Sequence, residues 1–107
     1  MHELGEYIYL RSTGREPASS VQVRVRANGG AVIVQAHTDD NLLVERLPDI
    51  GRQGSGEVFL TIPLMVPGEE IKLTFWYGVP GSTEKTPPPP TVLVRHARGL
   101  GISAGSI

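Results

Sequence analysis

Apolar and polar side chains alternate residue by residue along several short runs of this chain, and that alternation limits its fold more than any other feature. Val21, Val23, Val25 and Ala27 alternate with Gln22, Arg24, Arg26 and Asn28. Successive side chains of an extended strand point to opposite faces, so such a run has one dry face and one wet face. Ile71, Leu73, Phe75 and Tyr77 alternate in the same way with Lys72, Thr74, Trp76 and Gly78. Val58, Leu60 and Ile62 alternate with Phe59 and Thr61, and Pro63 is expected to stop that ladder. Residues 7–11, 31–37, 42–46 and 91–97 are further strand runs. The segment 42–47 would also suit a short helical turn ended by Pro48. No window of eleven residues carries an apolar stripe at helical spacing.

Turn chemistry separates the runs. Asn28-Gly29-Gly30 predicts a tight hairpin with positive φ. Asp39-Asp40-Asn41 is a turn cluster, and residues 51–56, with three glycines, form a flexible connection. Val66-Pro67-Gly68-Glu69 suits a type II turn. Gly14 offers a positive φ where the chain leaves its first strand, and Pro17 stiffens the crossing that follows. The segment 78–90 is a long loop ending in four prolines, Pro87 to Pro90, which favour polyproline II. Seven strands with turns at this spacing predict an all-β antiparallel sandwich, with a small Greek-key barrel as the alternative.

Composition narrows the class. At 107 residues the chain is one domain, and 39% hydrophobic with 20% charged residues suffices for a packed core. Without cysteine there is no disulfide scaffold, thiolate zinc site or cysteine nucleophile. A formal net charge of -1 gives no reason to expect nucleic acid. No apolar run is long enough to span a membrane as a helix, and the first residues lack the basic and apolar regions of a signal peptide. The sandwich is expected over residues 1–98, with a Gly/Ser-rich tail over 99–107. Both ends read as cuts around one module of a longer protein.

Two segments carry a resemblance. Residues 7–23, YIYLRSTGREPASSVQV, run from a strand through a Gly-containing turn and Pro-Ala into a Val-x-Val strand. Residues 64–73, LMVPGEEIKL, run from apolar residues through Pro-Gly-Glu into another strand. This order resembles immunoglobulin-like β-sandwich modules of the CARDB type and their fibronectin-like relatives, over residues 7–98. Ser12-Thr13-Gly14 stands where those modules often have Asn-x-Gly. The resemblance implies an immunoglobulin-like antiparallel β-sandwich of about seven strands, acting as a binding, spacer or adhesion-like module with no catalytic residues or cofactor. It carries no site residue onto this sequence.

The motifs that suggest chemistry lack the context it requires. Gly101-Ile102-Ser103-Ala104-Gly105 matches a nucleophile elbow, but no acid or histidine follows it. Gly99-Leu100-Gly101-Ile102-Ser103-Ala104 matches a dinucleotide fingerprint with too little chain behind it for the phosphate-binding helix. His2, His37 and His96, with Asp39 and Asp40, are the only candidate metal-ligand set, and they lack the spacing of a calcium loop. His96 shares parity with Val92 and Val94, which favours a neutral, hydrogen-bonded ring near a strand end. Arg11, Arg15, Arg24 and Arg26 come early, and seven acids fall between Asp39 and Glu70 against two arginines, so an electrically two-sided domain is expected. Trp76, the one tryptophan, lies opposite in parity to Phe75 and Tyr77; it is expected to be in the core or partly covered.

The function expected is therefore that of a non-catalytic binding or spacer module of a larger bacterial envelope-associated protein. Its contacts would be with a protein partner or a second copy, through a sheet edge or face. The alternative is an accessory domain for a carbohydrate or anionic ligand, with Arg24, Arg26 and Trp76 as the contact surface. An enzyme has only His37 and Asp39 to rest on.

Overall fold

The computed structural model describes residues 2–39, 44–48, 55–95 and 100–107. Eight strands cover most of them: β1 (Glu3–Ser12), β2 (Ala18–Arg26), β3 (Val32–Thr38), β4 (Val44–Pro48), β5 (Ser55–Met65), β6 (Glu70–Gly78), β7 (Thr91–Arg95) and β8 (Leu100–Ser106). All pairings are antiparallel. The strands form an all-β sandwich of two layers, ordered β7-β2-β5-β4 and β3-β6-β1-β8. Among the described residues one ladder pair, Ile33 with Ser55, joins the layers.

Where described, the seven expected runs form strands, and an eighth was missed. Residues 99–107, expected as a tail, carry β8, which pairs with β1 from Glu6↔Ser106 to Ser12↔Leu100. Leu100, Ile102 and Ala104 alternate with Gly101, Ser103 and Gly105, but glycine and serine are poor strand formers, and they hid it. Pro63 does not stop β5 either. The ladder continues to Leu64↔Ser19 and Met65↔Ala18, and Ser20, opposite Pro63, takes a φ of 50° where the proline has no N–H to pair. The segment 42–47 is a strand where described, paired as Val44↔Leu60 to Leu47↔Glu57.

The alternation predicted from sequence sets which residues enter the core. Val21, Val23 and Val25 of β2, with Val58, Leu60 and Ile62 of β5, face Ile8 and Leu10 of β1 and Ile71, Leu73, Phe75 and Tyr77 of β6. All of these side chains are buried.

Except for β4 and β5, consecutive strands lie in opposite layers. The Asn28–Ala31 turn has the expected positive φ at Gly29 and Gly30, and Ala31 N–H donates to the Asn28 carbonyl at 3.0 Å. Yet β2 and β3 do not pair, so this turn is an arch from one layer to the other and not a hairpin. Its tip also holds the proline loop. Asn28 Nδ2 donates to the Pro89 carbonyl at 2.9 Å and to Thr91 Oγ1 at 3.0 Å. Gly14 is not among the residues of positive φ. The predicted type II turn is present: Glu69 N–H donates to the Val66 carbonyl at 3.0 Å, and Gly68 has a φ of 85°. A Cβ at Gly68 would meet nothing within 4 Å. Gly68→Ala is therefore a test of backbone strain alone. It should lower stability by about 1 kcal/mol, read as an earlier urea midpoint with an unchanged slope.

Candidate functional site

The outer face of β3-β6-β1-β8 holds an aromatic cluster. On β6, Phe75 and Tyr77 turn inward, which sends Trp76 outward between Gly5 of β1 and Gln35 of β3. Trp76 is half-buried because its ring lies against Gly5, where a Cβ would come within 2.6 Å of Nε1. His37 stacks on the other flank, its ring centroid 5.6 Å away and its plane tilted by 26°. Further along, Tyr7 covers Gly105, with the position of a glycine Cβ 2.5 Å from its Oη. Tyr7 and Tyr9 meet edge to face at 5.4 Å. Lys72 Nζ lies over both rings, at 4.8 and 5.7 Å from their centroids. Large rings beside glycines shield backbone that has no side chain of its own. Of the two placements expected for Trp76, in the core or partly covered, the structure holds the second.

Arg24 and Arg26 lie elsewhere. They project from β2 on the outer face of the opposite layer, so the three residues expected to share a contact surface do not share one. Nor is that face purely basic. The register places Arg26 opposite Glu57 and Arg24 opposite Phe59. Arg24 Nε is 2.5 Å from Glu57 Oε1, a close ion pair and not an aligned hydrogen bond. Arg26 Nε is 3.9 Å from Oε2. The Arg24 guanidinium also lies 5.5 Å from the Phe59 ring centroid. In the other layer Arg11 meets Glu70 at 3.9 Å. Antiparallel pairing thus sets three of the early arginines beside the mid-chain acids Glu57 and Glu70. A shallow cleft of about 50 Å³ remains beside Arg24, lined by Gln22, Phe59, Leu93 and Arg95.

The other candidates do not converge. His37 is engaged with Trp76, while Asp39 Oδ1 accepts the Lys72 backbone N–H at 3.1 Å. His2 is exposed at the start of β1. Asp40 and His96 lie outside the described residues. Among the described residues no three His, Asp or Glu side chains come together. Ser103 sits within β8 opposite Tyr9, on extended backbone and not on a strand-to-helix elbow. The dinucleotide-like run 99–104 is strand from Leu100 onward. No described helix is long and apolar enough to cross a membrane.

One polar pair inside the sandwich escaped the sequence reading. Tyr77 Oη donates to Glu6 Oε1 at 2.6 Å. Burial first, and then this carboxylate, push the phenol well above its ordinary value. Glu6 shares parity with Ile8 and Leu10, so a carboxylate on the dry face was the available signal. Tyr7, Tyr9 and Lys72 were likewise readable only as wet-face residues, because their grouping depends on which strands adjoin. Comparison with known protein families, curated proteins and solved structures returns no match.

Proposed function

We propose that this chain is a non-catalytic binding module that docks a protein partner on the outer face of β3-β6-β1-β8. The observation that carries this reading is Trp76: a half-exposed tryptophan held flat by Gly5 and His37 at the middle of a sheet face. Tryptophan and tyrosine supply much contact area with few rotatable bonds, so they dominate protein contacts. Tyr7 and Tyr9 meet at 75°, so this face offers one flat ring and not the row of coplanar rings that would suit a sugar chain.

The immunoglobulin-like part of the reading is supported by strand order. Constant-type immunoglobulin sheets run ABED and CFG, that is, 1-2-5-4 and 3-6-7. Here the inner strands keep 2-5-4 and 3-6, while β1 and β7 have exchanged layers and β8 is added beyond β1. The larger bacterial envelope-associated protein is supported by the CARDB-type resemblance of residues 7–23 and 64–73.

A photo-crosslinker at His37, compared with one at Gln22 on the opposite layer, tests the face in envelope extracts. The expected result is one protein captured from position 37, competed by excess unlabelled chain but not by folded Trp76→Ala. Equal competition by Trp76→Ala, or equal capture from position 22, would refute it. A second reading, a small anionic ligand, is favoured by the cleft between Arg24 and Arg95. Calorimetric titration with inorganic phosphate should then show binding that is lost in Arg95→Ala; no heat from the wild type removes this reading.

A further inference from the structure

We infer that β8 is a self-pairing edge, through which two copies of this chain join antiparallel across a two-fold axis. Ladder hydrogen bonds show which way the backbone groups of β8 point. Ile107 N–H donates to the Gly5 carbonyl at 2.9 Å, and Ser12 N–H donates to the Glu69 carbonyl, on the β6 side, at 3.0 Å. Bonded and non-bonded pairs alternate along an antiparallel ladder. Both contacts therefore direct odd-numbered β1 residues toward β8 and even-numbered ones toward β6. With Tyr7↔Gly105, Tyr9↔Ser103 and Arg11↔Gly101 in register, the odd residues of β8 bond β1. The backbone N–H and C=O of Ile102, Ala104 and Ser106 point away from it, at the end of the layer.

The other edges carry features that block strand addition. β7 has five residues, follows Pro87–Pro90 and ends in Arg95. β4 has five residues, includes Glu45 and Arg46 and ends in Pro48. β3 is irregular between Ile33 and Gln35. β8 has seven residues, LGISAGS, with no charge, no proline and no shift in register against β1.

This edge is complementary to itself. Centred on Ser103, an antiparallel copy sets Ile102 opposite Ala104 of the second copy, and position 100 opposite Ser106. Each outward N–H and C=O over 100–106 then meets a partner, and no like charges are opposed. Ile102, 49% exposed, gains an apolar neighbour. Strand pairing alone buries less than a standard interface, so the dimer is weak and depends on concentration. The two-fold axis is perpendicular to the sheet and brings both Trp76 faces to the same side, a bivalent arrangement. The inference uses a different surface from the proposed docking face and stands independently of it.

Sedimentation equilibrium at rising concentration tests the inference. The wild type should fit a monomer–dimer equilibrium. Ala104→Pro deletes an outward donor and spares the bonds to β1, so it should weaken association at least about tenfold while the protein stays folded. Ser103→Lys and Ser103→Glu should each be monomeric, because position 103 faces itself across the axis, and an equal mixture should form a heterodimer. Trp76→Ala should dimerise like the wild type. A wild type that stays monomeric, a larger oligomer, or a dimer that survives both Ala104→Pro and Ser103→Lys overturns the inference. Should Ala104→Pro fail to fold, the Lys/Glu mixture decides: failure to pair rejects self-association at this edge.

Discussion

Phe75→Ala should lower stability by about 3–5 kcal/mol, while Trp76→Ala, one residue along, should lower it by about 2 kcal/mol and leave a folded protein. Phe75 is 0% exposed and belongs to the cluster that unites both layers. Its removal leaves a cavity between β6 and the facing sheet, where close-packed neighbours collapse only in part. Trp76 gives up contact with Gly5 and His37 on a surface that water can reach. Small domains are stable by about 5–15 kcal/mol in all, so the first loss approaches unfolding and the second does not. Urea denaturation of both variants checks the contrast. Similar losses would mean that the two faces of β6 are not one dry and one wet.

The second large effect concerns Tyr77 and Glu6. Tyr77→Phe removes the donor that Glu6 accepts at 2.6 Å and leaves a half-buried carboxylate unpaired. The expected cost is about 1.5–3 kcal/mol, the range for a hydrogen bond to a charged group. A pH dependence follows as well. Burial and the neighbouring carboxylate raise the Tyr77 phenol above its ordinary value of 10.0. The folded protein therefore keeps this proton after the unfolded chain has lost it. The stability this protonation difference contributes is complete below pH 10 and is lost as pH rises through the folded-state value, by about 1.4 kcal/mol per pH unit. Urea midpoints measured on either side of pH 10 should fall more steeply for the wild type than for Tyr77→Phe. Parallel curves would show that the phenol is not held protonated by folding.

Strand positions and face assignments were legible in the residues. Val21-Val23-Val25 and Ile71-Leu73-Phe75-Tyr77 announced both the strands and the sides that became core, because a strand's side chains alternate whatever it pairs with. Turn residues were legible where they act locally, as at Val66-Pro67-Gly68-Glu69. Two strand features were misread for local reasons. The alternation of Leu100, Ile102 and Ala104 in β8 is interleaved with glycine and serine, which read as a loop, and Pro63 is tolerated because Ser20 across the ladder adopts an unusual φ.

Which strands adjoin was not legible. Asn28-Gly29-Gly30 resembles a hairpin in sequence and forms an arch, because β2 finds β5 and β7 while β3 finds β6. Of the consecutive strands only β4 and β5 pair extensively; the main ladders, such as β1 with β6 and β8, join distant parts of the chain. Such pairings are selected by burial of the two dry faces together, and alternation carries no address for a partner strand. The same holds for the surfaces. Sequence could send Trp76, Arg24 and Arg26 outward, but only the packing of two layers put the tryptophan on one outer face and the arginines on the other. The arginines were legible as charges; their neighbour Glu57 came from register, a relation between strands that neither strand contains alone.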